Sequence, residues 1–361
     1  MKKHITPLAL AIALISSGAI ADNSIATADQ IGDNNTATID QTAVNDGIAT
    51  VFQDGSGNGA AIVQGDSLAP MTATIDTVGI DNRAAITQND SWYAEGAIVQ
   101  DGEGNNAQIT QTMVSDVATA TISQVYAWDN MASIDQTDSA LSTATIDQTI
   151  AEGNNAEIQQ QSAFNSNATI SQYYTLGDQA FIYQTGDYHE ANISQDDSWY
   201  AEANISQEGM MHTANISQTA ISDSSLADIT QVGFGNNANI NQDQSMESEA
   251  IVDQNGDMLQ ADIAQGAGDQ NLALIVQTGA FNTAAIDQPG AQNMADIDQS
   301  GEMNMADVQQ MGTGNMASVL QTGYGMADNP NIATVQQGGM NDMAIITQSS
   351  GAGNHAIITQ N

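Results

Sequence analysis

A short unit that repeats along almost the whole chain limits what this sequence can fold into. Its first clear copy is residues 30–41, QIGDNNTATIDQ, and later copies follow Q-x-G-x-x-N-x-A-x-I-x-Q. Ala stands four positions before the closing Gln in every copy except at Gly96, and Ile or Val stands two positions before it except at Ala28. A repeat this short, at a nearly fixed period, is typical of solenoids and arrays. We therefore expect a stack of small units rather than a set of globular domains.

The repeat occurs 29 times with narrow spacing. Successive closing residues, called anchors below, lie 11, 12 or 13 residues apart, except for one gap of 16 that holds the insertion 322–331. Every anchor is Gln except Thr77. The anchors are residues 30, 41, 53, 64, 77, 88, 100, 111, 124, 136, 148, 160, 172, 184, 195, 207, 218, 231, 242, 254, 265, 277, 288, 299, 310, 321, 337, 348 and 360.

Each unit is predicted to form one strand and one tight turn. Side chains of a strand alternate between its faces, so the residues six, four, two and zero places before the anchor share one face. That face is Asn, Ala, Ile and Gln, while Thr, Asp, Ser, Asn and Val occupy the other. Gly two places after the anchor can take a positive φ, which suits a turn. The expected strand is five or six residues long.

Consecutive strands must face each other across a narrow interior, because a lone strand of this kind buries nothing. The predicted fold is all-β: a two-sided parallel β-solenoid with a cross-β, amyloid-like arrangement. Two units make one coil, so 29 units give about fourteen coils of two strands each. Ala and Ile fill the interior.

The inward amides are expected to pair with the same residue type one coil above and below, as ladders. A buried amide is costly when unpaired, so these columns also set the register. The residues expected to form the self-assembly ladder are Gln30, Asn35, Ala37, Ile39, Gln41, Gln100, Asn105, Gln111, Gln231, Asn236, Gln242, Gln277, Asn282, Gln288, Asn293, Gln299, Asn304, Gln310, Asn315, Gln348 and Gln360. The glycines expected to turn the chain are Gly32, Gly102, Gly233, Gly279, Gly290, Gly301 and Gly312.

The acidic residues test the two-unit coil independently. In such a coil, outward residues two units apart in sequence are neighbours about 4.8 Å apart, where like charges destabilise a sheet. In three outward columns no two carboxylates are two units apart, which favours two strands per coil. The columns are Asp29, Asp40, Asp76, Asp135, Asp147, Asp253, Asp287 and Asp298; Glu157, Asp228, Asp262, Asp296 and Asp307; and Glu95, Glu190, Glu202 and Glu249.

Residues 1–21 are predicted to be a secretory signal peptide, which leaves a single repeat domain over residues 22–361. Lys2 and Lys3 form a basic start, residues 8–15 an apolar run, and residues 19–21 an A-x-A cleavage site. No later stretch approaches the ~18 apolar residues of a membrane span. The protein is therefore expected to be secreted and to act outside the cell or on its surface.

The charge of the chain excludes nucleic acid as a partner. Once Lys2 and Lys3 are removed with the predicted signal peptide, Arg83 is the one remaining Lys or Arg, against 43 Asp and Glu. The formal charge is then −42. Phosphate binding needs a basic surface. Cys is absent, so disulfides do not stabilise the exported chain. Loose screening of the acidic faces by divalent cations is the expected form of metal contact.

Repeats reach Gln360, next to the last residue of the sequence, and begin close behind the predicted signal peptide. An uncovered strand edge is a template for another chain. We therefore expect head-to-tail addition, in which the last coil of one molecule pairs with the first coil of the next.

The repeat resembles that of the curlins, the subunits of bacterial curli, whose units follow Q-x-G-x-x-N-x-A-x-x-x-Q. The copies that match this pattern at every fixed position include residues 30–41, 100–111 and 231–242. The resemblance extends over essentially the whole of residues 22–361, in an unusually long and acidic array. The matching residues are Gln30, Gly32, Asn35, Ala37 and Gln41; Gln100, Gly102, Asn105, Ala107 and Gln111; and Gln231, Gly233, Asn236, Ala238 and Gln242.

This resemblance implies a subunit that leaves the cell through a dedicated outer-membrane pore, starts growth on a nucleating subunit and polymerises into amyloid fibres of the biofilm matrix. The main alternative is a monomeric acidic surface solenoid, an adhesin that binds glycan, ice or cations. Thr-x-Thr pairs such as Thr72/Thr74, and the duplicated DSWYAE at residues 90–95 and 197–202, are the features that leave it open.

No enzyme activity, cofactor or specific metal site is predicted. Beyond residue 21 the histidines are His189, His212 and His355, and the last two occupy repeat positions that explain them. Residues 338–342, GGMND, are similar to the calcium turn of β-rolls, but they occur once in 29 units whereas such a turn repeats in a roll.

Overall fold

The computed structural model describes residues 23–113 and 115–361. The signal peptide predicted at residues 1–21 lies outside these residues. The described residues form 29 β-strands and no helix, so the predicted all-β class is confirmed. The chain divides into two compact units, Met1–Leu176 and Gly177–Asn361, called unit one and unit two below.

Unit one consists of two parallel sheets, one of odd-numbered and one of even-numbered strands. The odd-numbered strands, in hydrogen-bonded order, are β1 (Ile25–Asp33), β3 (Ile48–Ser56), β5 (Thr72–Ile80), β7 (Glu95–Glu103), β9 (Thr119–Trp128), β11 (Thr143–Thr149) and β13 (Asn167–Tyr173). The even-numbered strands are β2 (Thr36–Val44), β4 (Gly59–Ser67), β6 (Arg83–Asn89), β8 (Asn106–Thr112), β10 (Met131–Thr137) and β12 (Asn155–Phe164).

Unit two has the same alternation of odd-numbered and even-numbered strands. Its even-numbered strands are β14 (Gln179–Asp187), β16 (Glu202–Met210), β18 (Leu226–Phe234), β20 (Glu249–Asp257), β22 (Leu272–Ala280), β24 (Met294–Glu302), β26 (Met316–Gln321) and β28 (Met343–Gln348). Its odd-numbered strands are β15 (Glu190–Asp196), β17 (Thr213–Thr219), β19 (Asn237–Asp243), β21 (Gln260–Gln265), β23 (Thr283–Gln288), β25 (Asn304–Gln310), β27 (Asn331–Gln337) and β29 (His355–Gln360).

Within each unit a strand pairs with the strand two places further along the chain, so one coil contains two strands. The register aligns equal positions of the repeat: Ala132 lies beside Ala156, and Gln136 lies beside Gln160. This confirms the predicted solenoid of about fourteen coils of two strands each. It also agrees with the expectation that outward carboxylates are not neighbours in a sheet, since Asp135 has Thr110 and Gln159 as its neighbours.

The predicted inward face forms the interior. In β11, TATIDQT, the buried positions are Ala144, Ile146 and Gln148, and the residues between them are exposed or half-buried. Ala lets the two sheets approach closely, and Ile fills the remaining width between them. The interior therefore combines buried apolar side chains with columns of buried polar side chains.

The strands are longer than predicted, at six to ten residues instead of five or six. Pairing continues past the anchor: β5 and β7 stay in register through Gly79 and Gly102 to the pair of Ile80 and Glu103. Hydrogen bonding therefore continues into the segment that the sequence pattern had assigned to the turn.

Candidate self-assembly site

The anchor glutamines form continuous columns of side-chain hydrogen bonds. In each link the Nε2 of one Gln donates to the Oε1 of the Gln one coil later. In the even-numbered sheet of unit one the links are 2.8 to 2.9 Å long, and the column runs through Gln41, Gln64, Gln88, Gln111, Gln136 and Gln160. Every link points the same way, so a column has a donor end toward the C-terminus and an acceptor end toward the N-terminus.

Most anchor Nε2 atoms also donate to a carbonyl oxygen across the interior. Gln64 donates to the carbonyl oxygen of Ile48 at 3.2 Å, and Gln111 donates to that of Glu95 at 3.1 Å. Both acceptors lie at the start of a strand in the facing sheet. A buried amide that makes several bonds fixes both the vertical register and the distance between the sheets.

The column in the odd-numbered sheet of unit one is interrupted. Gln30 donates to Gln53 at 2.6 Å, Thr77 occupies the next position, and the links resume at Gln100. The later links, 2.7 to 2.8 Å long, join Gln100, Gln124, Gln148 and Gln172. The Gln53 Nε2 and the Gln100 Oε1 are buried and have no hydrogen-bond partner.

Both columns of unit two run without interruption. In the even-numbered sheet the links are 2.7 to 2.9 Å long and join Gln184, Gln207, Gln231, Gln254, Gln277, Gln299, Gln321 and Gln348. In the odd-numbered sheet they are 2.8 to 3.1 Å long and join Gln195, Gln218, Gln242, Gln265, Gln288, Gln310, Gln337 and Gln360.

The inward asparagines form a different kind of column from the one expected. Asn35 Oδ1 accepts from the backbone N–H of Asn58 one coil later, and Asn35 Nδ2 donates to the carbonyl oxygens of Ile31 and Gly55. Direct amide-to-amide bonds occur at some positions, as between Asn304 Nδ2 and Asn282 Oδ1 at 3.1 Å. Asn sits where the chain bends, so it satisfies backbone groups that the parallel ladder leaves unpaired.

The other asparagines named from the sequence have equivalent partners. Each Nδ2 donates to the carbonyl of the bend one coil later, at 2.8 to 3.1 Å. The pairs are Asn105 with Ala127, Asn236 with Gly256, Asn282 with Gly301, Asn293 with Gly312, Asn304 with Gly323 and Asn315 with Gly339.

The predicted turn glycines differ among themselves in the structure. Five of them have the expected positive φ but lie inside strands, where the chain bends: Gly32, Gly102, Gly233, Gly279 and Gly301. Gly290 and Gly312 lie outside the strands without a positive φ, so the predicted reason does not apply to them. A Cβ on Gly290 would overlap the carbonyl oxygen of Gly312, so close approach between coils explains this glycine.

A second left-handed position in the bends was missed by the sequence reasoning. It is the residue directly before the inward Asn, as at Asn34 with φ 59°, Asp81 with φ 55° and Phe281 with φ 55°. Residues of many types occupy it, so no glycine signal marks it. The neighbouring inward Asn is the signal that locates it.

Buried serines are the other missed group. Ser115 Oγ donates to the carbonyl oxygen of Gln136 at 2.7 Å, and Ser139 and Ser222 make the same bond to the next coil at 2.7 and 2.8 Å. In the wider bends these serines bind backbone carbonyl groups of the next coil, as Asn does in the narrow bends. Ser three or four places after an anchor is the signal that marks them.

His189 and His212 occupy the Asn position of equivalent bends one coil apart, and both are buried. Their rings stack, with centroids 5.2 Å apart and planes 4° apart. Each Nδ1 accepts from the backbone N–H one coil later, and each Nε2 lies 3.0 Å from a carbonyl oxygen, of Thr185 and Glu208 respectively. Burial lowers the pKa of both, that of His212 to about 4.

Asp178 occupies the same kind of position with a carboxylate. Burial raises its pKa to about 7, although hydrogen bonds from the Ser198 hydroxyl at 2.6 Å and the Ala201 N–H at 2.9 Å oppose the rise. Near neutral pH this group is therefore divided between the neutral and the charged form.

The two DSWYAE copies form bends of the same design. An Asp one coil later accepts from the Trp backbone N–H: Asp116 from Trp92 at 2.9 Å, and Asp223 from Trp199 at 3.0 Å. Trp92 and Trp199 are 43% and 51% exposed, so these bends present aromatic residues to solvent.

Comparison with known sequences identifies one family. A model of the curlin associated repeat matches residues 268–301, which contain the anchors Gln277, Gln288 and Gln299, and this confirms the predicted resemblance. No curated protein matches the chain. Among the described residues there is no helix that meets the length and apolarity of a membrane span, and no group of three or more His, Cys, Asp or Glu placed to hold a metal ion.

Proposed function

We propose that this curlin-repeat protein is a secreted subunit that polymerises head-to-tail into extracellular, curli-like amyloid fibres, which serve the biofilm matrix and surface adhesion. The curlin repeat and the solenoid fold indicate a structural protein rather than an enzyme. Assembly then requires only that one copy continue the hydrogen bonds of another.

The direction of the Gln columns is the observation that carries this proposal. Among the described residues, Gln348 and Gln360 come last in their columns and Gln30 and Gln41 come first. Within each unit, donors therefore face the C-terminal end of a column and acceptors its N-terminal end, so copies stacked head-to-tail extend each column. Copies stacked head-to-head would bring donor against donor.

The strand register supports the same mode of assembly. Links between coils align Ala with Ala and Gln with Gln, as at Ala317 with Ala344 and Gln321 with Gln348, with Gly96 and Thr77 as the exceptions. A coil of one copy therefore offers the next copy the same backbone and side-chain template that it offers its own neighbour. The same family resemblance points to an outer-membrane secretion pore and a nucleating subunit as partners.

Fibre growth by the purified chain over residues 22–361 tests the proposal. We expect fibres with a reflection near 4.7 Å along the fibre axis, and growth without a lag when preformed fragments are added. Because the subunits carry a charge of about −42, salt or divalent cations should speed growth by screening repulsion. A chain that stays folded and monomeric under all these conditions would contradict the proposal.

A matched pair of variants separates ladder continuity from charge. Gln348→Glu with Gln360→Glu replaces the donor end of both columns by carboxylates, which only accept hydrogen bonds, whereas Thr347→Glu with Thr359→Glu adds the same charge on exposed positions of the same strands. We expect the first variant to slow elongation at least tenfold and the second to elongate like the parent chain. Equal rates for the two variants would show that the columns do not join the subunits.

One observation favours the alternative of a monomeric solenoid that binds ice. In the odd-numbered sheet of unit one, the middle outward column is Thr in six of seven strands: Thr27, Thr50, Thr74, Thr121, Thr145 and Thr169, with Ala97 between the third and the fourth. Regular Thr arrays are the feature that ice-binding solenoids use. Inhibition of ice recrystallisation by the chain, and its loss in Thr121→Lys with Thr145→Lys, would support this function.

A further inference from the structure

The interruption at Thr77 leaves one position in a Gln column without an amide. On both sides of it, each Gln Nε2 donates to the next Oε1. The Thr77 side chain has no amide, and its hydroxyl lies 3.5 Å from the Phe52 carbonyl oxygen, at the limit of a hydrogen bond. Strands β3, β5 and β7 nevertheless stay in parallel register across this position.

The two side chains that face Thr77 each keep one unpaired atom. Gln53 Nε2 and Gln100 Oε1 have no partner, and both residues are 0% exposed. One atom is a donor and the other an acceptor. They are the two groups that the Oε1 and the Nε2 of a Gln at position 77 would bind.

Elsewhere in the chain, where another residue replaces a column Asn, its side chain still binds groups that the Asn would have bound. His212 replaces Asn and still supplies an acceptor to the next coil and a nitrogen next to a carbonyl. Asp178 replaces Asn and binds the Ser198 hydroxyl. No protein atom satisfies the two groups beside Thr77. A buried, unsatisfied polar group is destabilising, so the expected partner is solvent.

We propose that the position beside Thr77 is a buried hydration site, in which one or two bound water molecules replace the missing amide. Water accepts a hydrogen bond from Gln53 Nε2 and donates one to Gln100 Oε1, and the Thr77 hydroxyl is a third partner. The strands that carry Gln53 and Gln100 are two spacings, about 9.6 Å, apart. Water suits a polar site that offers two to four partners and a volume of about 30 Å³ per molecule.

Crystal structures at high resolution test this directly, on the folded chain and on two variants. In the parent chain we expect solvent density about 2.7–3.2 Å from both Gln53 Nε2 and Gln100 Oε1. In Thr77→Gln the density disappears and the three glutamines bond directly. In Thr77→Val, which has the shape of Thr without the hydroxyl, the density remains at lower occupancy because two of three partners remain.

A solution measurement provides an independent readout. Magnetisation transfer from water to side-chain amide protons should be at least threefold stronger at Gln53 than at Gln124, which lies in the uninterrupted part of the same column. Thr77→Gln should abolish that difference. Equal transfer at Gln53 and Gln124 in the parent chain, or a crystal structure in which both orphaned atoms bond to protein atoms instead, overturns the proposal.

Discussion

The odd-numbered sheet of unit one and the two sheets of unit two contain the same column of inward glutamines, but one is interrupted and the others are complete. Thr77 breaks the first column between Gln53 and Gln100. In unit two every link is present from Gln184 to Gln348. The strands on both sides of the break still pair in register.

This difference shows that the backbone ladder and the Ala and Ile interior preserve the coil when one Gln is missing. A solenoid is stabilised mainly by contacts between neighbouring coils, so the energetic effect of the defect stays local. The Gln columns contribute register and polarity, and each complete link adds stability to a coil that the backbone already defines.

The largest effect is expected when a complete column is given the defect of unit one. Gln277→Thr leaves Gln299 Oε1 as a buried orphan, which costs about 1–3 kcal/mol. It also removes the bonds of Gln277 with Gln254 Nε2 and with the Gln260 carbonyl oxygen, at about 1 kcal/mol each, although Gln254 Nε2 keeps its bond to the Asn237 carbonyl oxygen. We expect unit two to lose about 4 kcal/mol of unfolding free energy, measured by hydrogen exchange of β20, β22 and β24. Val276→Thr, at a half-buried outward position of the same strand, is the control, and an equal loss there would disprove a column effect.

Acid is expected to destabilise unit two more than unit one, because unit two contains the stacked histidines. Unit one has Asn at the corresponding position of its narrow bends. His212 has a folded pKa of about 4, below the ordinary value of 6.5, because of burial, with Asp257 and His189 as the charged neighbours. The unfolded chain therefore binds more protons between these values, and stability falls as the pH drops from above 6.5 to about 4. The full loss is on the order of 3 kcal/mol.

His212→Asn is the matched variant, because Asn serves this position in most narrow bends. Its denaturation midpoint should depend less on pH between 6.5 and 4 than that of the parent chain. A parent chain and variant with parallel pH profiles would contradict the assignment.

The titration of Asp178 is expected to change stability in the opposite direction, lowering it as the pH rises. Burial raises its folded pKa to about 7 from 3.8, so the folded chain binds more protons in this window and stability falls as the pH rises through it. Asp178→Asn should therefore stabilise unit two above pH 7, by up to about 4 kcal/mol, and have little effect below pH 4. Denaturant titrations at pH 4 and pH 8 measure both, and equal shifts at the two pH values would exclude a titration effect.

The smallest effect is expected when the defect of unit one is repaired. Thr77→Gln supplies an acceptor to Gln53 and a donor to Gln100, and we expect a gain of about 1 kcal/mol. The gain is smaller than the loss in Gln277→Thr because bound water already meets part of the demand in the parent chain. The measurement is the hydrogen exchange of β3, β5 and β7, and unchanged protection there would contradict the argument.

Much of the fold was predictable because the repeat states the same local preference 29 times. Alternation of Ala144, Ile146 and Gln148 with exposed residues predicts the buried face, and the spacing of Asp135 and Asp147 predicts two strands per coil. The length of the strands was wrong, because the ladder continues beyond the anchor into residues such as Gly79 and Gly102.

Less of the site was predictable, because partner choice in a bend depends on the backbone of the next coil. Asn35 binds the N–H of Asn58 and the carbonyl of Gly55 rather than one matching side chain. The buried Ser115 was missed, since the distance of such serines from the anchor, three or four residues, varies with the width of the bend. Gly290 is required by contact with Gly312 rather than by its own φ.

The sequence alone determined the fold class, the two-strand coil and the inward face, since these follow from periodicity, which is a local property of the chain. The tertiary structure decided which atoms are paired. It set the direction of the Gln columns, made His189 and His212 act as asparagines, and isolated Gln53 from Gln100 at Thr77. These features depend on side chains from different coils meeting at hydrogen-bond distance, and residues about 23 positions apart meet only after the chain has coiled.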